Sequence, residues 1–206
     1  AFARFCKARY CVGTGNGTVS IHAALHALGI GPGDEVVTVP NTFIATSEAV
    51  TQTGARVVFC DIDPQTHTMD PVSCEKVITK KTKAIIVVHI HGNPARMDLL
   101  KKLANKYRLF IVEDAAQAHG AEYKGKRIGN WGDVTTFSFF PAKNLGAWGD
   151  AGGIVTNKPA LYKKLKMLVN HGRKDKYLHQ MEGFNYRLDT LQAAILNVKL
   201  PYLTQW

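Results

Sequence analysis

Leu109-Phe110-Ile111-Val112-Glu113-Asp114-Ala115-Ala116-Gln117 is the stretch whose reading decides the fold. Leu109 to Val112 is a short apolar run that reads as a buried strand, and an acidic pair closes it. In parallel α/β sheets, ligands sit beyond the carboxyl ends of the strands, so Asp114 is expected to face a ligand. Outward from this run the same rhythm repeats. Val36 to Val39, Arg56 to Phe59, Ala84 to Val88 and, further on, Thr135 to Phe139 and Gly153 to Thr156 have strand length. Amphipathic stretches separate them, and this βαβ alternation predicts helices flanking a mostly parallel sheet. Asp70-Pro71 reads as a cap followed by a first-turn proline, and Leu99, Leu100, Leu103 and Tyr107 recur at helical spacing. Helices are also predicted around Leu161 to Val169 and Leu188 to Lys199.

A second run, Phe139-Phe140-Pro141-Ala142-Lys143-Asn144-Leu145-Gly146, carries the chemistry. A lysine among apolar residues and glycines loses hydration, which disfavours its ammonium and makes a neutral, nucleophilic amine accessible. A Schiff-base lysine needs that property. A carboxylate fixed at Asp114 would keep a pyridine nitrogen protonated and so turn pyridoxal phosphate (PLP) into an electron sink. Taken singly, an exposed loop lysine and a helix-capping aspartate are the ordinary readings.

Composition sets the frame. The chain has 206 residues, 46% hydrophobic and 20% charged, enough for one large domain with a substantial core. It opens at Ala1 without a methionine and ends on Pro201 to Trp206, which closes no recognisable unit, so a fragment is expected. No apolar stretch approaches the ~18 residues that span a bilayer, so a soluble protein without a membrane partner is expected. Cys6, Cys11, Cys60 and Cys74 form no Cys-x-x-Cys pair and suit reduced thiols in the cytoplasm. The net charge of +10 comes from scattered lysines, and without a basic tract or a base-stacking array it points first to a solvated surface and second to phosphorylated substrates, with no nucleic acid as partner.

Gly13-Thr14-Gly15-Asn16-Gly17-Thr18 precedes an apolar stripe at Ile21, Ala24, Leu25 and Leu28, so a glycine-rich loop opens a helix that stops at Gly29. Helix N-termini bind phosphate. Asp34 and Glu35 follow at about the distance of a ribose-binding acid, but Gly-x-Gly-x-Gly is not the dinucleotide spacing, the preceding strand signal is poor, and an NAD site would not explain Lys143. Phe43, beyond the strand that ends at Val39, is placed to stack on a planar ring, and the Ser138 hydroxyl is placed to share a phosphate with Gly17 and Thr18. His22 and His26 have i, i+4 spacing but lack a third ligand, and read as surface histidines with no metal. Of His89 and His91, one is expected to line the cleft.

Read together, these segments resemble the DegT-type nucleotide-sugar aminotransferases, a branch of the fold type I PLP enzymes. The match includes Asn16-Gly17-Thr18, Gly33 to Val36, Val112 to Gly120, Gly132-Asp133, Phe137-Ser138-Phe139, Lys143 to Gly146, Gly149-Asp150 with Gly152-Gly153, and Arg187-Leu188-Asp189 with Leu191 to Ala194. The resemblance implies that residues 1–206 form the large PLP-binding domain, a three-layer α/β sandwich, of a protein that continues into a smaller C-terminal domain. It implies a Schiff base on Lys143, the pyridinium on Asp114, Gln117 beside the ring and Phe43 stacked on it. Gly17, Thr18, Val19 and Ser138 would hold the phosphate. The site would lie at a homodimer interface, with Asn185, or else Arg187, reaching the partner's phosphate.

The implied reaction moves an amino group, usually from glutamate, to a keto sugar linked to a nucleotide. Two other readings stay open: a truncated, non-catalytic PLP-binding or regulatory relative, and a sugar dehydratase of the same family, which Lys143 opposes because those enzymes carry histidine there. The missing C-terminal domain would leave apolar surface around Leu196, Leu200 and Trp206 uncovered.

Overall fold

The computed structural model describes residues 1–206. A short helix α1 (Phe2–Phe5) leads into strand β1 (Tyr10–Thr14) and helix α2 (Gly17–Ala27). There follow β2 (Glu35–Thr38), α3 (Ala45–Gln52), β3 (Arg56–Phe59), α4 (Pro71–Val77), β4 (Thr82–Val88), α5 (Met97–Tyr107) and β5 (Phe110–Asp114). A small hairpin of β6 (Glu122–Tyr123) and β7 (Lys126–Arg127) precedes β8 (Val134–Ser138), β9 (Gly152–Thr156), α6 (Pro159–Leu168) and α7 (Thr190–Lys199). Seven strands form one sheet in the order β1-β9-β8-β5-β4-β2-β3. Only β9 runs against the others, pairing antiparallel with both β8 and β1.

The three layers follow from alternation along the strands. Val36, Ala84, Ile86, Val112 and Ile154 enter one core with Leu25 of α2, Val50 of α3 and Leu165 of α6. Their neighbours Val37, Ile85, Val87, Ile111 and Val155 enter the other with Leu100 and Leu103 of α5. Successive strand side chains point to opposite faces, so a continuous apolar run is what a sheet covered on both sides requires. Each fully buried Leu, Ile or Val contributes ~1.5–3 kcal/mol, which makes these two layers the main stabilising term.

Local signals hold where chemistry specifies them. The Asp70 side chain accepts from the Val72 and Ser73 amides, with Pro71 in the first turn of α4. Along α5, Leu100 and Leu103 are buried, whereas Leu99 and Tyr107 remain partly exposed.

Three features differ from the sequence reading. A strand, β1, does precede the glycine-rich loop. It is short, ends in Gly13-Thr14, and is fixed by pairing with β9 rather than by its own pattern. Helix α3 carries Glu48, Thr51 and Gln52 among few apolar residues and gave no periodic signal. His22 is buried, not at the surface: its ring meets Phe184 edge-on at 5.0 Å and its Nδ1 lies 3.3 Å from the Tyr186 hydroxyl. No helix is long and apolar enough to cross a membrane. At the C-terminal end Leu196 is buried and Leu200 packs against the core, while Trp206 is exposed.

Candidate active site

A cavity of about 530 Å³ opens at the carboxyl ends of the parallel strands. Asp114 ends β5, Ser138 ends β8, His89 follows β4, the loop after β2 delivers Thr42 and Phe43, and the first turn of α3 delivers Thr46. Lys143 reaches the same cavity from the turn between β8 and β9. The two residues singled out for cofactor chemistry therefore share one pocket.

Asp114 is buried, and its two oxygens are held by neutral donors. The Thr46 hydroxyl donates to Oδ2 at 2.7 Å and the Ala116 amide to Oδ1 at 3.2 Å. Burial holds its carboxyl above the ordinary range, against the hydrogen bonds from Thr46 and Ala116 and the attraction of Lys143. No cation of the protein pairs with it, so it is a buried carboxylate turned toward a cavity and suited to a protonated ring nitrogen. It caps no helix. Lys143 is half-buried at the pocket wall rather than enclosed among apolar groups, and its Nζ makes no hydrogen bond or ion pair.

The side of the cavity expected to take a phosphate is built by α2. Asn16 caps the helix by accepting from the Val19 amide at 2.9 Å, leaving the Gly17 and Thr18 amides without a protein acceptor at its positive end. A Cβ on Gly17 would lie 2.8 Å from Ser138 Cβ, so only glycine lets the helix start approach Ser138 this closely. Gly17, Thr18 and Ser138 are thus brought together. Val19 is not: its amide is spent on Asn16, and it does not line the cavity.

Phe43 is 70% exposed at the cavity edge, which excludes a core role. Gln117 lines the wall and is pinned by the His91 amide, which donates to its Oε1 at 2.8 Å. Of the two strand-end histidines, His89 lines the cavity and His91 does not. The Ala95 amide donates to His89 Nδ1 at 3.2 Å, so Nε2 carries the proton and donates to Glu113 Oε2 at 3.3 Å.

Glu113 is the residue that sequence reasoning passed over. It is fully buried beneath the pocket and accepts from Thr135 Oγ1 at 2.7 Å, the Gly132 amide at 2.9 Å and the Trp131 amide at 3.1 Å. Burial pushes its carboxyl up, but the hydrogen bonds from His89, Gly132 and Thr135 outweigh this and hold it below the ordinary range. An acid next to Asp114 in an otherwise apolar strand was the available signal.

Asn185 and Arg187 lie outside this cavity. Both are exposed, Asn185 bridges to Asn170 through the backbone, and Arg187 donates to Asn170 Oδ1 at 3.0 Å. Phe184 and Tyr186, alternating with them, turn inward to stack at 4.7 Å. Asp34 and Glu35 stand at the opposite end of the sheet. Glu35 holds Arg56 at 2.5 Å and Thr79 at 2.6 Å, and Asp34 accepts from the Gly31 amide, so neither serves a ribose.

A mostly parallel sheet with a lysine and a buried carboxylate meeting over its strand ends, and a helix N-terminus at one side, defines the architecture of fold type I aminotransferases. The chain belongs to the DegT/DnrJ/EryC1/StrS aminotransferase family, whose model matches residues 1–206. It is 50% identical over 204 residues to a pleiotropic regulatory protein of Geobacillus stearothermophilus, covering 99% of this chain and 55% of that protein. It is 48% identical over 205 residues to a dTDP-3-amino-3,4,6-trideoxy-alpha-D-glucose transaminase of Streptomyces venezuelae, covering 100% of this chain and 54% of the other. The fold superposes with a TM-score of 0.97 on a crystal structure of S. venezuelae DesV in complex with a ketimine intermediate, at 48% identity, with 100% of this chain and 55% of that one covered. The chain thus spans about half the length of the relatives it matches.

Proposed function

We propose that the protein is a PLP-dependent aminotransferase that transfers an amino group from glutamate to a keto sugar carried on a nucleotide. One observation carries this reading: Lys143 and the buried, cation-free Asp114 line the same cavity at the strand ends. The pocket fits the cofactor at three points. The Gly17–Ser138 approach leaves a cradle that a Cβ would fill, Asp114 awaits a positive partner, and Phe43 offers an open ring face.

When bound, pyridoxal phosphate supplies an electron sink for the carbon that loses its proton. The amides of Gly17 and Thr18 and the Ser138 hydroxyl hold the phosphate. Asp114, steadied by Thr46 and Ala116, keeps the ring nitrogen protonated. Phe43 and the pinned Gln117 fix the ring plane. Lys143 anchors the cofactor through Nζ and, once released, takes up and returns the proton at that atom. Its freedom from protein partners suits a group that must move between these roles.

The sugar, its nucleotide and glutamate as donor belong to this proposal; the transaminase named among the relatives supports a nucleotide-linked sugar as acceptor. So does a homodimer in the cytoplasm. Phe43 and Phe140, both exposed, line the cavity, Asn185 and Arg187 are exposed outside it, and all four cysteines are free thiols. The regulatory relative favours a second, non-catalytic reading, which the retained Lys143, Asp114 and Ser138 oppose.

The test is a visible spectrum of the purified protein with PLP, before and after borohydride, for wild type and Lys143→Ala, followed by addition of glutamate. A reducible band that Lys143→Ala lacks and glutamate bleaches is expected. No Lys143-dependent band would favour the non-catalytic relative.

A further inference from the structure

Lys143 is aimed by a turn whose backbone one helix holds from outside. Within the turn, the Lys143 amide donates to the Phe140 carbonyl and the Ala147 amide to the Phe139 carbonyl, both at 2.8 Å. Gly146 is packed so tightly that a Cβ there would lie 2.2 Å from the Pro141 carbonyl oxygen. The far half of the turn meets α7. Gln192 Oε1 accepts from the Trp148 amide at 2.9 Å, and Lys199 Nζ donates to the carbonyl of buried Gly146.

Gln192 and Lys199 are two helical turns apart and so lie on one face of α7. Leu196, between them, is buried in the core below. Helix α7 is therefore anchored to the core through its middle and clasps the lysine turn with a polar side chain on either side. The Lys143 side chain has no partner of its own, so its direction is set by the backbone that these two clasps hold.

We propose that Gln192 and Lys199 are positioning residues that set the aim of Lys143, a role that rests on the reading of Lys143 as the cofactor-bearing lysine. Neither touches the reacting groups. The Leu-Gln-Ala-Ala stretch at the head of α7 thereby gains a function beyond helix packing.

The experiment compares Gln192→Leu, which removes the acceptor, with Gln192→Glu, which keeps one, and Lys199→Met with Lys199→Arg. Hydrogen exchange across residues 139–150 is measured without cofactor. The pH midpoint of the Lys143-dependent band, kcat and KM are measured with it. Losing one such hydrogen bond speeds local exchange and lowers kcat by about three- to tenfold, with KM for the amino donor nearly unchanged and the band's midpoint displaced.

Gln192→Glu and Lys199→Arg are expected to restore all of these. Wild-type exchange in both Gln192→Leu and Lys199→Met, or a Gln192→Glu protein indistinguishable from Gln192→Leu, would overturn the proposal. Should Gln192→Leu fail to fold, the Lys199 pair decides by the same readouts. A wild type without the band would instead count against the aminotransferase reading, while exchange alone still reports on the clasp.

Discussion

Thr46 gives its only proton to Asp114, at 2.7 Å from Oδ2, and because that proton is spent, Thr42 must be the donor in the 2.8 Å contact between the two threonine hydroxyls. The chain Thr42 to Thr46 to Asp114 steadies the ionised form of a carboxyl that burial pushes up. Removing it with Thr46→Val takes away the strongest bond that favours the ionised form, so the Asp114 carboxyl moves further up. We expect kcat/KM to fall about tenfold, the order of one hydrogen bond to a charged group, and its acid limb to shift to higher pH. Asp114→Asn, which cannot hold the ring proton electrostatically, should cost ~100-fold or more in kcat. Steady-state pH profiles of the two variants check both expectations, and an unshifted acid limb in Thr46→Val would count against this account.

Gly17 and Ser138 come from distant parts of the chain and meet so closely that a single methyl group cannot be inserted between them. The backbone of Gly17 is ordinary helix, so the obstacle in Gly17→Ala is steric and falls on the proposed phosphate cradle. Overpacking of this kind typically costs ~1–3 kcal/mol. The expected outcome is cofactor retention weakened by about tenfold or more, read by fluorescence titration with PLP, with the secondary structure unchanged by circular dichroism. Undiminished affinity would show that the phosphate sits elsewhere.

These contacts mark the limit of what the sequence discloses. The sheet was legible because strands buried on both faces must be apolar throughout, and Leu109 to Val112 or Ala84 to Val88 have few other readings. Lys143, Asp114 and Ser138 were legible as chemistry out of place in apolar surroundings. The thin strand β1 was not, since its place depends on pairing with β9, and neither was α3, whose buried face is mostly small residues. His22 was misjudged because its cover, Phe184 and Tyr186, lies far along the chain. Thr46, Glu113 and Gln192 act by touching another segment, and no local pattern records a partner so distant in sequence.

Glu113 and His89 join the floor of the pocket to the loop Gly129 to Gly132, and the carboxylate there gathers five donors. Its carboxyl is held below the ordinary range. The stability it contributes is therefore present above the pH at which the unfolded chain's carboxylate titrates and is lost as pH falls through the folded-state value. Glu113→Gln keeps the shape but puts an amide donor among donors, and we expect a loss of ~1–3 kcal/mol, the scale of a buried donor left unsatisfied. Urea unfolding at neutral pH measures it. The gap to wild type should narrow toward acid, and a variant as stable as wild type at pH 7 would refute this role.

His119 is set among Phe2, Phe137 and Phe139, with ring centroids 6.4, 5.5 and 5.7 Å away, and neither ring nitrogen has a hydrogen-bond partner. Burial drives its pKa from 6.5 down to about 4; the Ser138 backbone, near but outside hydrogen-bonding geometry, opposes this, and the Lys143 charge adds to it. The unfolded chain takes up a proton below 6.5 that the folded protein refuses until about 4, so stability falls as pH drops through that window. The loss is no more than about 3 kcal/mol, reduced by the ring's residual exposure. His119→Leu removes the unpaired nitrogens and leaves an apolar side chain among aromatic ones. We expect it to match or exceed wild-type stability at pH 7 and to have a flatter melting-temperature curve between pH 4 and 6.5. If its curve instead runs parallel to that of wild type, the acid sensitivity belongs to other groups, and a steeper loss at neutral pH would mean that the imidazole is held by a polar partner after all.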